Sequence, residues 1–195
     1  MSPTRIDPRI TRTRNLIMEA FVELSMKKEF KDITIKDITD KATVNRATFY
    51  SHFTDKYQLL DAALTENLME KVFNEIKLYD ELSEETIVKI FLSITTFQAE
   101  LSSQCRRSYD AFMSTIEAKL KAELEDLLYK LLMKNQPEEN LETLRIGAVM
   151  LSWGIYGATI DWQHNSHLTA SQYINKALTP ISNGVQLLNS CNTNK

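Results

Sequence analysis

Apolar residues recur three or four positions apart along most of the chain, the period of helices that bury one face. Asp7-Pro8 reads as a helix start, an N-cap acceptor followed by proline at the first helical position, where its missing N–H costs nothing. Ile10, Ile17, Ala20, Phe21 and Leu24 carry that helix to about Lys28. After a short connection, Thr34-Ile35-Lys36-Asp37 predicts a capped start with a carboxylate three residues on. The helix it opens is brief, burying Ile35, Ile38 and Ala42. A third runs from Asn45 to about His52 with Phe49 and Tyr50. Thr54-Asp55 caps a fourth that passes Leu60, Leu64 and Leu68 to about Lys77.

Longer helices follow. Ser83-Glu84-Glu85 opens one with Ile87, Ile90, Phe91, Ile94 and Phe97 on its buried face. Another spans Ser108 to Lys134, and Asn135-Gln136-Pro137 breaks it. Pro137 is expected to start the next, which ends near Gln163, and Thr169 caps a last helix carrying Tyr173, Ile174, Ala177 and Leu178.

Composition narrows the fold class. All four glycines of the 195 residues fall between Gly147 and Gly184. Phosphate-cradling nucleotide loops and tight β-hairpins both depend on glycine, so neither belongs in the preceding chain. The expectation is an all-α protein: a three-helix N-terminal domain, residues 1–56, joined through the fourth helix to a larger helical domain, residues 57–195. Charge divides at the same place. Residues 1–56 carry 11 Lys/Arg against 8 Asp/Glu, leaving 12 against 18 for the rest. A basic head on an acidic body suits a polyanion partner, and equally a solvated basic face.

Cys105 and Cys191 are too far apart for a zinc cluster or a disulfide framework and read as free thiols. The first residues lack the apolar stretch of a signal peptide. The longest uncharged run, Ile146 to Ile160, is 15 residues, short of the roughly 18–20 of a membrane span. These features predict a soluble cytoplasmic protein with no membrane partner. With three histidines and no glycine loop, the chain offers no evident base, nucleophile or cofactor cradle, so neither catalytic residues nor cofactors are expected.

The second and third helices, joined by a three-residue link, form a helix-turn-helix candidate whose second helix would enter the major groove. Packing by Ile35, Ile38, Ala42, Val44, Phe49 and Phe53 leaves Asn45, Arg46, Thr48, Ser51 and His52 outward. Arginine suits guanine, asparagine suits adenine, and hydroxyls or imidazoles suit phosphate. Two short helices with polar faces also occur in many proteins that never meet DNA.

The run Thr34-Ile35…Ile38…Ala42-Thr43-Val44…Ala47-Thr48-Phe49-Tyr50…His52-Phe53…Lys56…Leu59-Leu60 resembles the DNA-binding domain of TetR-type transcriptional regulators. The resemblance covers roughly residues 8–60 and implies roles position by position. Asn45, Arg46, Ala47 and Thr48 fall where the family's recognition helix meets base edges. Tyr50, His52 and Lys56 fall where its side chains contact phosphate, and Thr34 and Lys36 where it grips the opposite backbone. Arg5, Arg9 and Arg12 would add an arm. The family usually has glycine where this chain has Thr43; the turn either keeps positive φ with strain or adjusts to negative φ and re-aims the third helix. The resemblance further implies a homodimer on a pseudo-palindromic double-stranded DNA operator, and a body that binds a small-molecule effector.

In the body, the helix through the uncharged run is apolar nearly all round, with Gly147, Gly154 and Ala158 allowing close helix approach, which points to a dimer interface or to intrachain packing. Phe91, Phe97, Tyr109, Phe112, Met113, Trp153 and Tyr156 are candidates to line an effector cavity, or simply core. Cys105 beside Arg106 and Arg107 is either a thiol activated by cations or a small buried residue. His164 and His167 have no third ligand near in sequence, so no metal site is expected. Two functions compete: a ligand-responsive regulator, most often a repressor, and a helical adaptor that binds only protein. The adaptor predicts no loss on changing Arg46 or Tyr50.

Overall fold

A computed structural model describes residues 7–190, with side chains described through Ile181; Arg5 and Cys191 lie outside that range. All regular elements among the described residues are helical: α1 (Pro8–Ser25), α2 (Ile35–Ala42), α3 (Arg46–His52), α4 (Lys56–Ala63), α5 (Glu70–Ile76), α6 (Glu84–Gln104), α7 (Tyr109–Asn135), α8 (Leu141–Asn165) and α9 (Ala170–Ser190). A 3₁₀ turn, Phe30–Asp32, precedes α2, and a π-helical turn, Leu64–Leu68, separates α4 from α5. None of these helices is long and apolar enough to cross a membrane.

The chain forms two compact units. The first takes the chain as far as Glu70 together with Leu101–Ile116. This grouping includes α4 and a stretch of sequence that a division at residue 56 assigns to the second part. Here α1 packs on α2 and α4, and α2 on α3. Phe21, Phe30 and Phe112 meet with ring centroids 6.1–6.2 Å apart. The chain end of α1 is held by the second segment: Arg107 Nη1 donates to the Lys27 carbonyl and Ser108 Oγ to that of Lys28, both at 2.9 Å. These bonds satisfy backbone carbonyls of the turn that follows α1.

The second unit comprises Lys71–Glu100 and the chain from Glu117 onward. In it α8 lies against α9. Phe91 of α6 stacks on Tyr173 of α9 at 5.9 Å and 11° and meets the Trp162 ring of α8 edge-on at 6.3 Å. The Trp162 indole N–H donates to the Leu168 carbonyl, and the Tyr173 hydroxyl to Asp161 at 2.6 Å. Burial and that bond push the Tyr173 phenol up to about 12.

Two helix limits differ from the sequence reading. Pro137 lies in a turn rather than at the start of α8, because Asn140 is the better cap: its Oδ1 accepts from Glu142 N at 2.8 Å and Thr143 N at 3.4 Å. The fourth helix also fails to continue regularly through Leu68. Met69 N donates five residues back to Leu64 O at 2.8 Å, so Met69, not Leu68, is fully buried.

Candidate nucleic-acid interface

The turn between α2 and α3 fixes the site. Thr34 and Asp37 form a reciprocal capping box: Asp37 N donates to Thr34 Oγ1 at 3.1 Å, and Thr34 N to Asp37 Oδ2 at 3.0 Å. The Thr34 N–H, with the Lys28 ammonium and the Thr34 hydroxyl behind it, lowers the Asp37 carboxyl to about 2. The Thr34 side chain is therefore committed to its own helix, while Lys36 next to it is exposed. Helix α2 ends at Thr43 in the left-handed region, φ 57° and ψ 40°, with Thr43 N bonded to Asp40 O and Val44 N to Thr39 O. Of the two possibilities at Thr43, the turn keeps the glycine-type geometry, and a β-branched residue carries the strain.

Asn45 caps α3 by accepting from Thr48 N at 2.7 Å. Its carbonyl oxygen is thereby held, so the paired donor–acceptor edge expected for adenine is not presented freely. Phe49 and Phe53 are fully buried and root the helix. That leaves Arg46, Ala47, Tyr50 and Ser51 exposed and Thr48 half-buried. Arg46 Nη2 donates to the Tyr50 hydroxyl at 3.2 Å, with the guanidinium 5.6 Å from the Tyr50 ring centroid. Arginine has five N–H donors, so the contact steadies the side chain without exhausting it, and the phenol keeps its own proton for donation.

His52 is half-buried. Desolvation, then the nearby Arg14 charge, holds its pKa below the usual value, which favours the neutral imidazole as a hydrogen-bonding group. Lys56, placed at phosphate by the resemblance, has its ammonium donating to the carbonyls of Phe30, Lys31 and Ile33 at 3.0–3.2 Å and lying 4.7 Å from the Phe30 ring centroid. All three ammonium protons have acceptors, which makes Lys56 a clamp on the loop before α2.

Arg14 joins the site from α1. It forms a two-point ion pair with Glu66, Nη2 to Oε1 at 2.6 Å and Nε to Oε2 at 3.2 Å, and sits 4.5 Å from the Phe53 ring centroid. Its Nη1 also reaches the His52 carbonyl at 3.5 Å. It ties α1 to the end of α3 and to the π turn. The sequence carried a signal: Ile10, Arg14, Ile17 and Phe21 share one helical face, and a charge on an apolar stripe calls for a partner. Arg9 and Arg12 are exposed on α1.

The seven effector candidates are divided between the two units. Tyr109, Phe112 and Met113 belong to the first unit, where Phe112 packs its core. Phe91, Phe97, Trp153 and Tyr156 belong to the second. Trp153 faces outward, 58% exposed, with the Lys121 ammonium 3.7 Å from its ring centroid. Cys105 is buried, which pushes its thiol pKa up, against the activated-thiol reading.

Residues 17–63 match the family described as bacterial regulatory proteins, tetR family. An uncharacterised HTH-type transcriptional regulator, YxbF of Bacillus subtilis (strain 168), is 40% identical over 67 residues, 34% of this chain and 18% of that protein. The matched stretch thus spans less than a fifth of that relative. A tetR-family regulator structure from Streptomyces coelicolor superposes with a TM-score of 0.65 at 11% identity, over 93% of this chain and 84% of that one. A TetR regulator from Streptococcus agalactiae 2603V gives 0.56 at 23% identity, over 89% and 95%. At such identities the superpositions speak for the fold alone. Residues 17–63 thus match the tetR family of bacterial regulatory proteins by sequence, and most of the chain shares the fold of solved tetR-family regulators.

Proposed function

We propose that the protein is a homodimeric DNA-binding repressor that leaves a pseudo-palindromic operator when a small molecule binds its body. The observation that carries the DNA reading is the exposed Arg46–Tyr50 pair on a short helix rooted by Phe49 and Phe53. Arg46 is the base reader in this reading. Tyr50 and neutral His52 donate to phosphate, Lys36 supplies a free cation, and Asn45, Thr34 and Lys56 hold the scaffold. Ala47 and Thr48 lie beside Arg46 and limit which base edge fits.

The dimer reading rests on α8. Ile146, Met150 and Trp153 are exposed, and the Cβ positions of Gly154 and Gly157 meet nothing within 4 Å. Large apolar side chains beside such open positions suit a second helix. Helix pairing between two copies would set the separation of two recognition helices at successive major grooves.

Selection of genomic DNA fragments on the purified protein at about 150 mM salt tests the reading, since that ionic strength weakens nonspecific phosphate binding. Fragments sharing an inverted repeat, lost with Arg46→Ala, are expected. Arg46→Ala should cost about 1–3 kcal/mol and relax base preference at one position per half-site. Equal loss on every sequence would place Arg46 on phosphate instead.

A further inference from the structure

Among the described residues of the second unit, one buried polar side chain has no partner. Gln98 of α6 is 2% exposed, and neither its Nε2 nor its Oε1 has a hydrogen-bond partner. Folded proteins rarely leave both ends of an amide unmet. Gln98 lines a cavity of about 230 Å³ between α6 and the α8–α9 loop, together with Thr95, Trp162, Ser166 and His167. A larger cavity of about 370 Å³ beside α7 is less promising, because its lysines are already paired, Lys77 with Glu123, Lys130 with Asp126 and Lys134 with Asp80.

We propose that the cavity at Gln98 binds a small uncharged molecule with an amide edge, an N–H beside a C=O, such as a lactam or a pyrimidine-type ring. No Asp, Glu, Lys or Arg lines it, so no permanently charged side chain there balances a ligand charge. The Gln98 amide offers one donor side and one acceptor side, and an amide edge is its complement. The amide atoms are sealed from solvent, but turning them into the cavity breaks no hydrogen bond, since they make none. The Trp162 N–H is held by Leu168 O and the Thr95 hydroxyl donates to its own helix, so Trp162 contributes apolar surface and Thr95 only an acceptor. At about 30 Å³ per water the volume equals seven or eight waters, room for a single ring.

Occupancy has a route to the rest of this unit. Trp162 meets Phe91 edge-on, and Phe91 stacks on Tyr173. A ring lodged beside Trp162 therefore bears on the packing of α8 against α9. Calling the ligand an effector rests on the repressor reading above; its binding does not.

The test uses the full chain without DNA, titrated by calorimetry with 2-piperidone and with uracil, and with cyclohexanone, which keeps the ring and carbonyl but lacks the N–H. Saturable binding of at least one amide probe, one per chain, is expected, with cyclohexanone and Gln98→Leu each weaker by about 10- to 100-fold. Gln98→Leu should also raise the melting temperature of the free protein by removing the unmet amide. Ala99→Trp, at an exposed position on the cavity rim, should block binding with helix content unchanged, which keeps the test decisive if Gln98→Leu misfolds. No binding of either amide probe up to about 10 mM, or equal binding by wild type and Gln98→Leu, overturns the proposal. Probe binding by a protein that selects no DNA would overturn the repressor reading and leave the cavity standing.

Discussion

Around α2 and α3, Thr34, Asp37, Asn45, Asp55 and Lys56 each hold backbone groups in place through their side chains. Within the second unit, Gln98 holds none, and α8 turns Ile146, Met150 and Trp153 outward. The first region is complete as a single chain: its polar atoms fix a short helix at one angle, and its exposed pair, Arg46 and Tyr50, holds the groups that could meet a rigid polyanion. The second has unmet demands, a polar one inside and an apolar one outside, which suit partners that come and go. A reading head gains from preorganisation, because any rearrangement on binding costs affinity. On the proposed reading, the body needs states that differ when occupied.

Four changes would break or sharpen that contrast. Phe49→Ala removes the fully buried root of α3 and should cost about 3–5 kcal/mol of stability, read from the urea midpoint. A loss below about 1 kcal/mol would mean that the helix is held by its caps and not by its core. Lys56→Met should lower stability by about 1–3 kcal/mol, because three carbonyls lose their shared donor. DNA salt dependence should stay the same; a slope reduced by roughly one with unchanged stability would restore the phosphate role. Thr43→Gly should raise stability by about 1 kcal/mol, the relief of left-handed strain less the extra chain entropy of glycine. A lower melting temperature would show the threonine to be at ease there.

The smallest effect concerns acid. Asp37 is depressed from 3.8 to about 2, so its contribution is full above the unfolded value and disappears as pH falls from about 4 to about 2. Asp37→Asn should flatten the urea midpoint against pH in that window. An unchanged pH profile would show that the capping box does not persist in solution.

Much of the head was legible because its determinants are local. Asp7-Pro8, Thr34 with Asp37, and Asp55 before α4 all cap helices as their spacing predicts, each reaching two or three residues. Asn45 is the cap of α3 and not its first residue, a distinction the sequence blurs because a cap and a first-turn base contact ask for the same residue type. The roles that were not legible depend on distance. Lys56 bonds to carbonyls 23 to 26 residues back, and Arg14 to a carboxylate 52 residues on. Neither spacing leaves a mark in a short window. Gln98 was hidden differently, since a lone amide on an apolar helix face gives no sign of whether its partner exists.

The π turn has a consequence for how the chain tolerates changes of length. Buried positions run Leu59, Leu60, Ala62, Ala63, Leu64 and then Met69, Val72, Phe73, Ile76, so the step from Leu64 to Met69 across the turn is five where a regular helix would take four. The segment has absorbed one surplus residue. Deleting a single exposed position there, Glu66 or Asn67, should therefore yield an uninterrupted rod with every later side chain still facing its partners. The same deletion inside α4 or α6 would swing the following residues about 100° around the axis.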